Sequence, residues 1–443
     1  MSEDGPAPLM VAPFRLDSLR ESPPLPPPRP ERGRHAVHSH RRRHPRRRLV
    51  LLAVLLVLVA AGAVFVGVRA STPDPPPVVT PVLARTVGVP RQTVTLPWPA
   101  TGQGAIAIPA IGVSVASGPE QPTPVASLTK LMTAYVVLHD HPLAPNDPGP
   151  TITVTQADVD DYDNDTVDDD ANAQVTLGEE LTEQQVMSGL LVHSADNYAD
   201  LLARWDAGSI PAFVAKMNAA AAHLGMSQSH WADPSGVSPS SVSTAADILK
   251  VAAPDMANAE IASIVKMSSV TLPVAGTIST YTPLLGLQGV IGVKSGFTTA
   301  AGGCDVLAAL RTVHGRPVLL LAAVTGQTGP EVLAQAGLHG LALVDAVGPL
   351  IGTTAVLQGG DVVAHVSEAG QTVDAQAAAS ASLLTWPGVS ATRAFEPQHD
   401  LTDQARRGGR VGTIVVTLGS QRVAVPVRLQ RDAPRESLLQ RIF

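Results

Sequence analysis

The chain has 443 residues, of which 45% are apolar, 16% charged and only 3% aromatic, and it carries a net charge of −7. That length favours more than one domain, and the apolar content suffices for a large core, which excludes a wholly disordered chain. Cys304 is the single cysteine, so no disulfide scaffold is available within the chain.

The charge is unevenly placed. Residues 1–48 hold 11 Arg and five acidic residues, a balance of +6, so the remainder carries −7 − 6 = −13. A nucleic-acid-binding protein concentrates positive charge on its folded part, and here the folded part is acidic. No nucleic-acid partner is expected.

In chain order, residues 1–48 form a basic cytoplasmic tail that contains PPLPPPRP (23–30) and HRRRHPRRR (40–48). It reads as disordered with local polyproline character. Leu49 to Val68 follows, twenty residues without a charge. At 1.5 Å per residue it reaches about 30 Å, the hydrocarbon thickness of a bilayer. Residues 49–69 therefore read as a transmembrane signal-anchor, with the preceding arginines on the cytoplasmic side and everything after it outside. The alternative is a signal peptide cleaved near Val68-Arg69-Ala70; the long basic preface argues against it. Residues 70–99, rich in Pro and Thr and without periodicity, read as an extracytoplasmic linker.

From about Ala100 the texture is that of a folded domain. Residues 104–117 are strand-like, and VASLTKLMTAYVVL (125–138), apolar nearly all round, predicts a buried central helix. A helical stretch at 181–205 starts with Thr182 and Gln185 at capping-box spacing, and another at 210–226 stops at Gly225. Strands are expected at 289–297, 304–311 and 317–324, and a helix at 330–346. Beyond Gly348 the pattern is β-rich, with a hairpin turning at Gly419-Ser420. The pattern divides into a domain over 100–347 and a β-rich domain over 348–443.

Several chemistries can be set aside. There is no G-x-S-x-G elbow and no H-E-x-x-H zinc helix, and Val293 interrupts the Gly-Lys-Ser core that a phosphate loop needs. Asp158 to Asp170 holds eight Asp, including Asp161, Asp163 and Asp165 at alternate positions. Thr166 stands where a calcium loop needs Gly and Asn172 where it needs Glu, so a solvated loop is expected rather than a metal site. No metal and no organic cofactor is implied.

What remains is Ser-x-x-Lys. Residues three apart share a helix face, so a serine hydroxyl meets a lysine amine directly. A lysine desolvated in a buried helix can take the serine proton. Two pairs exist among the five lysines, Ser127/Lys130 and Ser263/Lys266. Ser127 opens the apolar helix, where the N-terminus favours developing negative charge, whereas Ser263 has spacing as its only credential and reads as structural or exposed.

ASLTKLMTA (126–134) resembles the first motif of the serine D-alanyl-D-alanine carboxypeptidases, the low-molecular-mass penicillin-binding proteins of peptidase family S11. GLLVHSADNYADLLA (189–203) resembles the second motif region and GVKSGFTTAAGGC (292–304) the third, with 213–237 similar to the helix and loop between. The resemblance runs from about 100 to 345. It implies an α/β (α+β) penicillin-binding/β-lactamase-like transpeptidase fold with a small C-terminal β domain. It implies Ser127 as acylated nucleophile, Lys130 as its general base and Ser194 as proton relay to the leaving amine. Lys294, on a strand edge with Ser295 and Gly296, would bind the terminal carboxylate, Gly296 would let the substrate backbone lie close, and the backbone N–H groups of Ser127 and Phe297 would form the oxyanion hole. The implied partners are peptidoglycan stem peptides ending in D-Ala-D-Ala, β-lactams as inhibitors, and the membrane through the N-terminal helix.

One departure matters. The family usually has Ser-x-Asn, but here Ser194-Ala195 leads to Asp196, with Asn197 one place on. An amide donates to a substrate carbonyl and an ionised carboxylate does not. Either Asp196 faces substrate more weakly, or Asn197 turns in, or activity is altered, leaving a weakened peptidoglycan-binding protein as the alternative. A β-lactamase is a lesser alternative, since no Glu-bearing motif separates the second and third elements. His139, His141 and His193 are expected at surfaces or junctions, Cys304 as a small buried hydrophobe, and Asp233-Pro234-Ser235-Gly236 as a turn.

Overall fold

A computed structural model of the chain describes residues 45–71, 77–168, 170–368, 371–398, 401 and 406–432. The tail's Pro-rich and leading Arg-rich stretches, up to residue 44, lie outside them, as do residues 72–76 of the expected linker. Two units are separable, one from Met1 to Thr72 with Arg441–Phe443, the other from Pro73 to Gln440. The described part of the first is α1, Pro45–Ser71, whose span Arg47–Ser71 is long and apolar enough to cross a membrane.

The second unit is built on a five-stranded antiparallel sheet. Its order is Val290–Thr298, Gly302–Val313, Arg316–Gln327, Gln103–Ile108 and Val113–Ala116. The period of two along a strand divides its side chains between two cores. Ala105, Ala107, Val306, Ala308, Leu321 and Ala323 face one apolar cluster, and Ile106, Ile108, Leu307, Ala309, Leu320, Ala322 and Val324 face the other. A sheet buried on both sides reads as continuous apolar runs, which is why these strands were legible.

The first cluster is covered by helices: α2 (Thr129–Asp140), α3 (Gln156–Asp168), α4 (Glu183–Val192), α5 (Asp196–Ala207), α6 (Ile210–His223), α7 (Ala245–Ala257) and α8 (Ala259–Ile264). α2 buries nine of its twelve residues, as its all-round apolarity predicted. α9 (Val332–Val347) covers the opposite face. It too is apolar enough to span a bilayer, but Gly340 lies so near Leu307 that a Cβ would meet the leucine's at 3.3 Å, so α9 is a core helix.

Two expectations need correction. The acidic run is not a loop but α3. Asp158 accepts from Thr155 N (2.7 Å) and Oγ1 (2.6 Å) at its start, and Arg204 of α5 pairs with both Asp158 (2.8 Å) and Asp161. Alternate residues of a helix point to different sides, so the calcium-loop pattern is broken by the backbone itself. The predicted helix over 181–205 is two. Thr182 and Gln185 do form the capping box of α4, but His193, Ser194 and Ala195 interrupt the helix, with Ser194 at φ 66°. A Cβ on Gly189 would meet the Tyr198 ring at 2.5 Å; the bare glycine lets α4 and α5 fold against each other.

The linker expectation is corrected as well. A second sheet has the order Val78–Pro81, Val362–Glu368, Gln371–Ala377, Gln421–Leu429, Arg410–Leu418, Ser390–Pro397 and Thr86–Gly88. Its two outermost strands are consecutive in the chain. Val82 N donates to Val363 O (2.9 Å) on one side and Arg393 N to Arg85 O (2.6 Å) on the other. One short segment thus occupies both edges, which would otherwise present unpaired N–H and C=O groups. Deleting residues 77–88 is expected to lower the melting temperature by several degrees, at on the order of 2–4 °C per kcal/mol lost, and to cause concentration-dependent aggregation. Thermal unfolding with light scattering checks this, and an unchanged transition contradicts it.

Candidate active site

Ser127 sits in the 3-10 turn Ala126–Leu128 that leads into α2, and Ala126 adopts φ 50°. The turn is wedged from two sides. A Cβ on Gly236 would lie 2.0 Å from Ala126 O, and one on Gly296 would lie 2.6 Å from Ser127 N. Glycine at 236 also accommodates φ 90°. The third-motif strand and the 233–238 turn therefore press directly on the serine.

Lys130, one helical turn on from Ser127 and in the first turn of α2, is fully buried. Its Nζ is 3.0 Å from Ser127 Oγ, 2.5 Å from Asp196 Oδ1 and 2.9 Å from Ser235 O. The expected meeting of hydroxyl and amine is present. The partner from the second motif is Asp196 at the start of α5, while Asn197 turns away: its Oδ1 accepts from Ala173 N (3.0 Å) and its Nδ2 donates to Ala173 O (2.8 Å). The possibility that Asn197 turns into the site is thereby closed.

Ser235 O was not foreseen, because no side chain advertises a backbone carbonyl. It is held by Asp233, whose Oδ2 accepts from Ser235 Oγ (2.8 Å), Gly236 N (2.7 Å) and Val237 N (2.9 Å), and whose Oδ1 accepts from Ser241 Oγ. The adjacent Pro234 O accepts from Thr133 Oγ1 (2.6 Å), one helical turn beyond Lys130. The turn expected at 233–236 is thus a clamp on α2.

Ser127, Ser194, Asp196, Ser295, Gly296 and Phe297 line a single cavity of about 290 Å³. Ser194, at the break between α4 and α5, occupies the left-handed region, a conformation that costs a non-glycine residue about 1 kcal/mol or more. Lys130 and Lys294 lie beneath this lining, both essentially inaccessible. Lys294 Nζ donates to Ser295 O (2.8 Å), and Ser295 Oγ donates to Tyr281 O (2.9 Å). Tyr281, Val237 and Phe297 are exposed apolar side chains at the rim, of which the sequence reading had singled out only Phe297. The Tyr281 ring stacks on His193 at 4.9 Å, and His193 Nδ1 lies 2.8 Å from Ser279 O, a junction role.

Burial governs the electrostatics. It pushes Lys294 down to about 7, assisted by the nearby charge of Lys130 and opposed by Asp196 and Asp305. It raises Asp196 as well, against the pull of Lys130 and Lys294. Asp305, on the strand beside Ser295, is wholly buried without a hydrogen-bond partner, and burial raises it far above the usual carboxylate range. Cys304 is buried and pushed up to about 12, the behaviour of an inert core thiol. Ser263 lies in α8, and Lys266 is exposed beyond its end, so the second Ser-x-x-Lys pair has no buried amine.

A family model described as D-alanyl-D-alanine carboxypeptidase, peptidase S11, matches residues 112–324. A D-alanyl-D-alanine endopeptidase of Escherichia coli is 31% identical over 215 residues, 46% of this chain and 64% of that protein. A D-alanyl-D-alanine carboxypeptidase of Streptomyces is 30% identical over 202 residues, 42% of this chain and 67% of that protein. The chain belongs to the D-alanyl-D-alanine carboxypeptidase family. It spans a little under two thirds of the Escherichia coli relative's length. The crystal structure of the Streptomyces K15 DD-transpeptidase matches with a TM-score of 0.51 at 25% identity, covering 57% of this chain and 98% of that one. The penicillin-binding DD-peptidase fold expected from the motifs is therefore the fold of this family member.

Gly296→Ala is expected to displace the Ser127 turn and lower its acylation about 100-fold, the scale that a 1 Å misplacement carries, without unfolding the protein. Stopped-flow acylation by a chromogenic β-lactam, with circular dichroism as the folding control, measures it; wild-type acylation would contradict the close packing described.

Proposed function

We propose that this chain is a serine D-alanyl-D-alanine carboxypeptidase that removes the terminal D-Ala from peptidoglycan stem pentapeptides through an acyl-enzyme, and that β-lactams acylate the same serine. The observation that carries the reading is the 3.0 Å contact between Ser127 Oγ and Lys130 Nζ under a cavity lined by all three motifs. Lys130 takes the hydroxyl proton as Oγ attacks the carbonyl of the penultimate D-Ala. The N–H groups of Ser127 and Phe297 receive the oxyanion, where donors fixed in advance contribute most. Ser194 relays the proton from Lys130 to the departing amine, giving up its own as it takes that one, and water then releases the acyl group.

The substrate's terminal carboxylate sits over Ser295 and Gly296, drawn by the Lys294 charge beneath. The N-terminal helix anchors the chain, with the peptidase on the extracytoplasmic side, where its polymer substrate lies. The run of arginines before the helix supports that orientation.

D-alanine release from a synthetic stem pentapeptide tests the reading. Wild-type chain is expected to release it and Ser127→Ala to release none; a chain that binds the peptide but releases nothing is the non-catalytic alternative, and rapid turnover of the β-lactam itself is the β-lactamase one. The pH dependence follows from Lys294: its charge is present below about 7 and lost above it. kcat/KM, which reports the free enzyme, should fall as pH rises through about 7, and a flat profile there would contradict the assigned role.

A further inference from the structure

The Lys130 amine has four tetrahedral positions, one of them taken by its own Cε. Ser235 O and the Asp196 carboxylate are acceptors, so two N–H bonds are committed to them at 2.9 and 2.5 Å. The remaining position faces Ser127 Oγ at 3.0 Å. Ser235 O is immobilised by the Asp233 turn, and Asp196 by its place in the first turn of α5, with its backbone N bonded to Ala171 O at 2.6 Å. The family motif has a neutral amide at position 196, which would accept a hydrogen bond but carry no charge.

Resting on the peptidase reading above, we propose that Asp196 is a positioning residue rather than a substrate-facing one: it fixes the Lys130 amine toward Ser127 and holds the positive charge that proton transfer creates there. In that step the Ser127 O–H bond breaks and an N–H bond forms on Lys130, and the O–H electron pair stays on Oγ as the attacking pair. The new ammonium lies against the Asp196 carboxylate until the proton passes on to the leaving amine. No further reactant is needed for the balance.

Asp196 does not act alone electrically. The charged groups that reach it are Lys130 on α2, Lys294 on the third-motif strand and Asp233 in the clamp; Asp165 on α3 feels its charge in turn, and Asp170 lines the same cavity. Burial raises the Asp196 carboxylate, so its charge is lost as pH falls through a value above the ordinary carboxylate range. The acid limb of acylation therefore follows the loss of the Asp196 charge.

The experiment is the acylation rate of the full-length chain by a chromogenic β-lactam between pH 5 and 9, for wild type, Asp196→Asn and Asp196→Glu, with the prior noncovalent affinity resolved from the concentration dependence. Asp196→Asn is expected to lower the plateau rate about 10-fold, to leave the noncovalent affinity within about 2-fold, and to move the acid limb to lower pH because an amide cannot hold the proton. Asp196→Glu keeps the charge and should keep the acid limb while losing rate, so the assignment is still tested if the amide variant does not fold. An Asp196→Asn profile equal to wild type, a loss confined to affinity, or an Asp196→Glu variant without the acid limb overturns it. A wild-type chain that is never acylated overturns the peptidase reading, and this assignment with it.

Discussion

Three oxygens surround the Lys130 amine beneath the cavity floor, and much of the helical half of the molecule is arranged to keep them there. One comes from three residues back on the same turn, one from the start of α5 and one from a backbone carbonyl 105 residues away. A buried ammonium or amine without such partners would be strongly unfavourable, because the interior supplies no water to solvate it. The clamp centred on Asp233, the break between α4 and α5, and the glycines at 236 and 296 all serve this one convergence.

The same region concentrates buried ionisable side chains to a degree that stability alone does not explain. Lys130, Lys294, Asp196 and Asp305 are all nearly or wholly inaccessible, on elements flanking one cavity. Two backbone positions there, Ala126 and Ser194, are left-handed without being glycine. Buried ion pairs contribute little net stability and their desolvation can exceed the Coulombic gain. Such clustering of strain and perturbed ionisation is characteristic of catalytic sites. The apolar cores on either side of the central sheet supply the stability that permits it.

Much of the fold and part of the site were legible in the sequence, for identifiable reasons. The central strands announced themselves as apolar runs because both faces are buried, and Ser127 and Lys130 as a pair because helix geometry makes three-residue spacing a contact. What was not legible depends on distant partners. The Asp-rich run reads as solvated until Arg204 is brought against Asp158 and Asp161. Residues 78–88 read as a linker because their role is to occupy sheet edges formed about 300 residues later. Ser235 enters through its carbonyl, and its only trace was the glycine that follows it.

The central claim is that Ser127 is made nucleophilic by the amine at 130. Peptide mapping by mass spectrometry after a brief exposure to a penicillin tests it most directly, comparing wild type with Lys130→Met. The account predicts a stoichiometric adduct on the peptide bearing Ser127 in the wild-type chain, and none on that timescale in the folded variant. An adduct on another residue, or equal labelling of Ser127 without the amine, would contradict it.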